Sequence, residues 1–270
     1  MDTGKLFIDT QAFLFALSYV EPRTLGMFAA LPIFNSQLVP PMIRFAAAAA
    51  VGALAAPPLM PAIQLHAHDV SLLFLVCKEA FVGFALGYAL AIPFWAFEAV
   101  GFLIDNQRGA SIAATLNPLT GNDSSPLGIL FNQAFIVFFF TAGGFELVLG
   151  ALYDSFRLWP VFDWSPSLNP DSIPLLLSQL DRLVRLALLY GAPAIVAMFL
   201  AEMGLGIVSR FVPQLQVFFL AMPIKSAIAI LVLVMYASTV FEQGRESIEQ
   251  MKEIVPFLHK EWNKDARGPR

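Results

Sequence analysis

Six apolar blocks dominate the chain, roughly Gln11 to Phe34, Met42 to Ile63, Ser71 to Ile104, Pro126 to Leu152, Leu183 to Val208 and Leu215 to Phe241. A segment this apolar and this long has to satisfy its backbone hydrogen bonds internally. None of the blocks shows the strict alternation of a barrel strand, so all are predicted to be helices. Composition agrees. Hydrophobic residues make up 58% of the 270 positions, charged residues 13%, and there are 26 phenylalanines, more apolar surface than a soluble core of this size can hide. The expectation is an all-α, polytopic membrane-type protein.

The breaks between blocks are chemically marked by Asn35 with Pro40-Pro41, by Pro57-Pro58 with Pro61, by the polar stretch after Asp105, by the Trp-, Pro- and Asp-rich stretch Tyr153 to Pro174, and by Arg210 with Pro213. The connections are short, so residues 1–241 read as one integral helical unit, with a central loop at about 105–127 and an extramembrane loop at about 153–182. A polar tail, 242–270, mixes six acidic with six basic residues and reads as a solvated helix with a frayed end.

Several function classes drop out. The net charge of -4 is small and scattered, and no basic stripe follows a phosphate backbone, so nucleic acid is not an expected partner. The lone Cys77 forbids an internal disulfide and reads as a small core hydrophobe. Met1 to Asp9 carries Lys5 but also Asp2 and Asp9, a poor cationic signal-peptide start, and is expected to be retained. His66-Ala-His68-Asp69 has no Cys or second acidic cluster nearby to complete a zinc site, and His259 stands apart. There is no nucleophile elbow and no phosphate-cradling loop. Ser111, Ser124 and Ser125 lie in the central loop without a histidine. No catalytic, metal or cofactor-binding residues are assigned.

Two features do not fit a simple bundle in lipid. Ser71 to Ile104 would be about 50 Å long as one straight helix, against a hydrocarbon core of about 30 Å. It must tilt, bend near Pro93, form a hairpin or leave the bilayer. Second, Lys78, Glu79, Glu98, Glu146, Glu202 and Lys225 lie within or beside apolar blocks. Six lipid-facing charges would cost on the order of 15 to 20 kcal/mol, whereas one apolar span gains about 6 to 12. These charges must face protein or water. Lys78 and Glu79 are adjacent, which points them to different sides of a helix and sends each to a partner elsewhere. Asp105 and Arg108, spaced i to i+3, read as a local ion pair at a helix end. Gly83 and Gly87 form a G-x-x-x-G whose ordinary use is close intramolecular helix packing. With six crossings, one side of the membrane holds Lys5, Arg157, Arg182 and six basic residues from Arg245 to Arg270, and the other holds Arg44, Arg108 and Arg210. The positive-inside rule therefore places both termini in the cytoplasm.

Certain motifs are more specific. The run K-E-A-F-V-G-F-A-L-G from Lys78 is followed by G-F-L-I-D-N-Q-R-G from Gly101, N-P at Asn117, S-S-P-L-G from Ser124 and F-F-F-T-A-G-G-F from Phe138. Further on comes R-F-V-P-Q-L-Q-V-F-F-L-A-M-P-I-K-S, from Arg210 to Ser226. In this order they resemble the T-type inner-membrane component of the bacterial type III secretion export apparatus, whose flagellar counterpart is FliR. The resemblance implies a non-enzymatic subunit of a protein-conducting channel in the bacterial inner membrane. Its implied partners are R-type and S-type subunits, a U-type switch protein, and unfolded secreted proteins in transit.

The resemblance also makes the central loop a plug that obstructs the closed channel, with Arg108, Gly109, Ile112, Leu116, Asn117, Pro118, Leu119, Gly121, Ser124, Ser125 and Pro126 as its residues. Gly109, Gly121, Asn117-Pro118 and Ser125-Pro126 supply turns, and Ile112, Leu116 and Leu119 supply apolar contacts. Subunit contacts or buried charge are expected at Lys78, Glu79, Glu98, Asp105, Glu202, Arg210, Pro213, Gln214, Pro223 and Lys225. The competing class is a secondary transporter with a midplane binding site, but the two halves show no convincing internal repeat. A membrane-embedded enzyme would need a catalytic constellation.

Overall fold

A computed structural model describes residues 3–35, 39–61, 72–110, 125–163, 173–212 and 217–256. Among these residues the chain forms seven α-helices: α1 Thr3–Ala30, α2 Pro41–Ala55, α3 Leu72–Arg108, α4 Pro126–Thr141, α5 Gly144–Leu158, α6 Ile173–Phe211 and α7 Val217–Met251. Proline sets several of the boundaries. Pro41 and Pro126 open α2 and α4 at the first helical position, where a missing N–H costs nothing, and Pro57 turns the end of α2 into a short 3-10 segment, Pro57–Leu59.

The fourth apolar block is divided. Ala142 and Gly143 separate α4 from α5, and Gly143 sits at φ 76°, in the left-handed region where only glycine is comfortable. The over-long third block is a single helix of 37 residues, about 55 Å, which runs through Pro93 without forming a hairpin. The stretch 153–182 is less of a loop than its composition suggests, because α5 continues to Leu158 and α6 begins at Ile173.

Two compact units organise the chain. The first comprises Met1–Ala91, Gly143–Leu177 and Glu249–Arg270, and the second Ile92–Ala142 and Ser178–Ile248. In the first, α1 packs on α2 and on the N-terminal part of α3. Gly83 makes the α1–α3 contact possible: a Cβ there would overlap the backbone of Arg23, and one at Gly87 would overlap that of Met27. The G-x-x-x-G of α3 therefore serves packing within the chain. The second unit is centred on aromatic rings. Phe97 stacks on Phe135 at 4.1 Å between centroids, Phe94 meets Phe135 and Phe139 edge-on at 5.0 and 4.9 Å, and all four are fully buried.

Among the described residues three helices are long and apolar enough to cross a membrane, α3, α6 and α7, and the pair α4 with α5 qualifies as a broken span. They differ in what they offer their surroundings. In the most apolar window of α3, 72% of residues are buried within the protein, against 28% in α6 and 22% in α7. α3 is thus a core helix, while α6 and α7 turn most of their apolar surface outward.

Two sequence expectations need correction. Cys77 is exposed, because it lies on the face of α3 that also carries the exposed Phe74, Phe81 and Phe84. The tail is not simply solvated either: Ser247, Ile248, Met251, Ile254 and Val255 are all buried, so apolar residues spaced along a charged stretch dock this segment into protein.

The base of the central loop and the internal charges

Asp105 stands in the last turn of α3 and holds both ends of the central loop. One carboxylate oxygen, Oδ2, accepts the Ser125 hydroxyl at 2.6 Å and the Leu127 amide at 3.0 Å, and the other, Oδ1, meets Arg108 Nη2 at 2.7 Å. Ser125 is also the N-cap of α4, its oxygen accepting the Gly128 amide at 2.9 Å. The carboxylate therefore faces the exposed amides and the positive end of the α4 dipole. The backbones meet closely here, since a Cβ at Gly101 would overlap Leu127 and Gly128. Past Arg108 the helix ends at Gly109, at φ 86°.

The sequence spacing anticipated the Asp105–Arg108 pair. It did not reveal that the same carboxylate reaches twenty residues on to Ser125. Of the plug residues, Arg108, Gly109, Ser125 and Pro126 flank this clamp. Ile112, Leu116, Asn117, Pro118, Leu119, Gly121 and Ser124 lie outside the described residues.

A second polar centre is buried in the first unit. Glu79 on α3 is fully buried and accepts Arg23 Nε of α1 at 2.7 Å. The guanidinium also donates to Ser155 Oγ at 3.1 Å and to the Trp159 carbonyl at 2.8 Å, and lies 4.2 Å from the centre of the Phe156 ring. Lys78 donates to the carbonyls of Val161 at 2.6 Å and Asp163 at 2.8 Å, and its ammonium stands 3.0 Å from the second Glu79 oxygen. Each neighbour thus finds the separate partner expected of it, and the two also meet directly. The long lysine stem lets its ammonium swing back to the Glu79 carboxylate although the two Cβ atoms point apart. Three charges and four carbonyls thereby fasten residues 159–163 to α1 and α3.

Arg23 was not singled out from the sequence. Its signal was available, as a cation inside the first apolar block, subject to the same insertion cost that marked the other six.

The remaining candidates are less enclosed. Lys225 of α7 is buried and pairs with Glu202 of α6 at 3.2 Å, while the Glu202 side chain stays half exposed. Glu98 is exposed and accepts Asn132 Nδ2 at 3.0 Å. Glu146, Arg210 and Pro223 are exposed. Pro213 and Gln214 lie outside the described residues, as do His66, His68, Asp69 and His259. Among the described residues no group of three or more His, Cys, Asp or Glu is placed to hold a metal ion.

Helices long and apolar enough to cross a bilayer, with charges tied into polar clamps between them, define a polytopic, all-helical membrane protein. The chain belongs to family 1 of the bacterial export proteins, whose sequence profile matches residues 14–251. It is 35% identical to Yop proteins translocation protein T of Yersinia pestis over 252 residues, 92% of this chain and 97% of the relative. It is 32% identical to the surface presentation of antigens protein SpaR of Shigella flexneri, over 89% of this chain and 92% of that one. To the flagellar biosynthetic protein FliR of Bacillus subtilis it is 29% identical, over 87% and 93%.

Proposed function

We propose that the chain is a non-enzymatic subunit of a type III secretion export gate in the bacterial inner membrane. R-type and S-type subunits complete the channel with it, a U-type switch protein docks on the assembly, and unfolded secreted proteins pass through. The loop Gly109 to Pro126 closes the resting pore, with Ile112, Leu116 and Leu119 as its apolar seal, and both termini face the cytoplasm. Family membership over 14–251 supports the export role, and the naming of the Yersinia relative as a translocation protein supports a protein cargo.

The observation that carries the gating part is the clamp at Asp105, which fixes the points where the loop leaves α3 and rejoins α4. A seal needs such a base, because contacts made only in the closed state bias the gate only if the element making them is held in place. The chain purified in mild detergent should carry R- and S-type proteins with it. Recovery as a lone monomer or symmetric homo-oligomer would favour the transporter instead. Shortening the loop between Gly109 and Pro126 should leave assembly intact and make the complex leak. Loss of about 3 kcal/mol of closed-state preference raises the open fraction by roughly two orders of magnitude. An intact, leak-free assembly lacking the loop would put the seal in another subunit.

A further inference from the structure

Between Glu79 and Asp105 the single charged residue of α3 is Glu98, about 10 Å along the helix from Asp105. It stands at a close crossing of α3 and α4. A Cβ at Gly101 would overlap the backbone of Leu127 and Gly128, and one at Gly128 would come within 3.1 Å of the Glu98 carbonyl. To one side of this crossing lies the Asp105 clamp, and to the other the packed rings of Phe94, Phe97, Phe135 and Phe139. Across the seam Asn132 Nδ2 donates to Glu98 Oε2 at 3.0 Å.

That amide is only half satisfied. Asn132 Oδ1 is sealed from the surface, and among the described residues no donor reaches it. An orphaned acceptor of this kind costs stability, and because it is sealed, neither bulk water, nor lipid, nor another chain can supply the missing bond. The donor has to come from within the seam. Glu98 is already in contact with the amide, but as a carboxylate it has no proton to give. As a carboxylic acid it has one, and a carboxyl facing a side-chain amide can close a ring of two hydrogen bonds. The neighbouring charges leave Glu98 free to do so. On α3 Asp105 and Arg108 pair with each other, and α4 carries no charged residue. α6, where a Cβ at Gly191 would touch Val100, carries Arg182 and Arg185, and α7, where one at Gly244 would press on Phe97, carries Glu242, Arg245 and Glu246. None of these charges bears on Glu98, which is set apart from bulk water by partial burial alone.

We propose that Glu98 and Asn132 form a proton-binding site, in which the neutral Glu98 carboxyl donates to Asn132 Oδ1 and accepts from Nδ2, closing a two-bond ring across the α3–α4 seam. The proton comes from water and forms the O–H bond on Glu98, while the amide keeps both of its own. Ionisation returns the proton to water, leaves the single bond from Nδ2 and strands Oδ1 again. The seam is therefore tightest at low pH and loosens as the pH rises through the titration of Glu98. Because α3 and α4 carry the two ends of the central loop, the loop base feels the same proton. That consequence for gating rests on the export-gate reading above, whereas the site itself does not.

The test compares the full chain with Glu98→Gln, which puts an N–H where the acid has its O–H and so makes both bonds at every pH, and with Glu98→Leu, which makes neither. The infrared difference between wild type and Glu98→Gln should contain a protonated-carboxyl C=O band that fades as the pH is raised. In Asn132→Leu that band should move to higher frequency, because the carbonyl has lost its donor. Amide exchange at the start of α4, corrected for the pH dependence of the chemical rate, supplies the second readout. Wild type should match Glu98→Gln at low pH and exchange about tenfold faster at high pH, with Glu98→Gln slow and Glu98→Leu fast throughout. Absence of the band, a band whose frequency ignores Asn132→Leu, or a wild-type to Glu98→Gln exchange ratio that does not change with pH overturns the proton site. Neither readout needs a partner subunit, so failure of the export-gate reading, seen as a pull-down that recovers no R- or S-type protein, is told apart from failure of this one.

Discussion

Replacing Arg23 by Met and Glu79 by Leu, singly and together, tests whether the buried charges of the first unit act as one network. Both side chains are fully buried at an Nε to Oε2 distance of 2.7 Å, so loss of either partner strands the other away from water. Such a break costs about 3 to 5 kcal/mol when the remaining charge has no substitute. The two losses should not be equal. After Arg23→Met, Glu79 keeps Lys78 at 3.0 Å, which holds the cost near the lower figure. After Glu79→Leu, two cations remain together with no carboxylate between them, although Arg23 keeps the Trp159 carbonyl and Lys78 those of Val161 and Asp163.

At about 2 to 4 °C per kcal/mol for a chain of roughly this size, Arg23→Met should lower the unfolding midpoint by about 6 to 12 °C. Glu79→Leu should lower it further or prevent accumulation in the membrane. The double variant should recover part of the loss, since a buried pair exchanged for apolar groups is often tolerated. Thermal unfolding in detergent followed by tryptophan fluorescence measures this, and the buried Trp159, whose carbonyl Arg23 holds, supplies a local probe. An Arg23→Met midpoint within about 2 °C of wild type, or a milder effect of Glu79→Leu than of Arg23→Met, would refute the network argument.

Asp105→Ala removes the acceptor for the Ser125 hydroxyl and the Leu127 amide, at a cost of about 1 to 3 kcal/mol, confined to the loop base. Faster hydrogen exchange and proteolysis at the start of α4, with the global midpoint little changed, is the expected readout. Gly83→Val places side-chain atoms where the Arg23 backbone lies and should abolish the α1–α3 packing, seen as loss of membrane-inserted protein, whereas Gly150→Ala, with nothing within 4 Å of its Cβ, should be silent. A reporter fused after Arg270 should be active in the cytoplasm, and activity restricted to the periplasm would reverse the orientation.

Much of the fold was legible because the bilayer leaves few choices. An apolar run such as Leu183 to Val208 has only the helix in which to satisfy its backbone, so class and helix positions follow from composition and punctuation. Local pairs were legible for the same kind of reason, as with Asp105 and Arg108, whose spacing alone brings them together. The insertion cost likewise announces that Glu79, Glu202 and Lys225 need partners, whatever the fold.

The identity of those partners was decided by tertiary structure. Arg23 meets Glu79 across 56 residues and Ser155 across 132, and Lys225 meets Glu202 across 23. No periodicity encodes such distances, because they depend on which helix faces the backbone of which other helix. Gly83 against Arg23 is one such meeting, and it places the guanidinium beside Glu79. The same cause lies behind the exposed Cys77 and the buried Met251 and Ile254. An amino acid carries its cost of exposure in the sequence, but whether that cost is met depends on neighbours that folding brings from far along the chain.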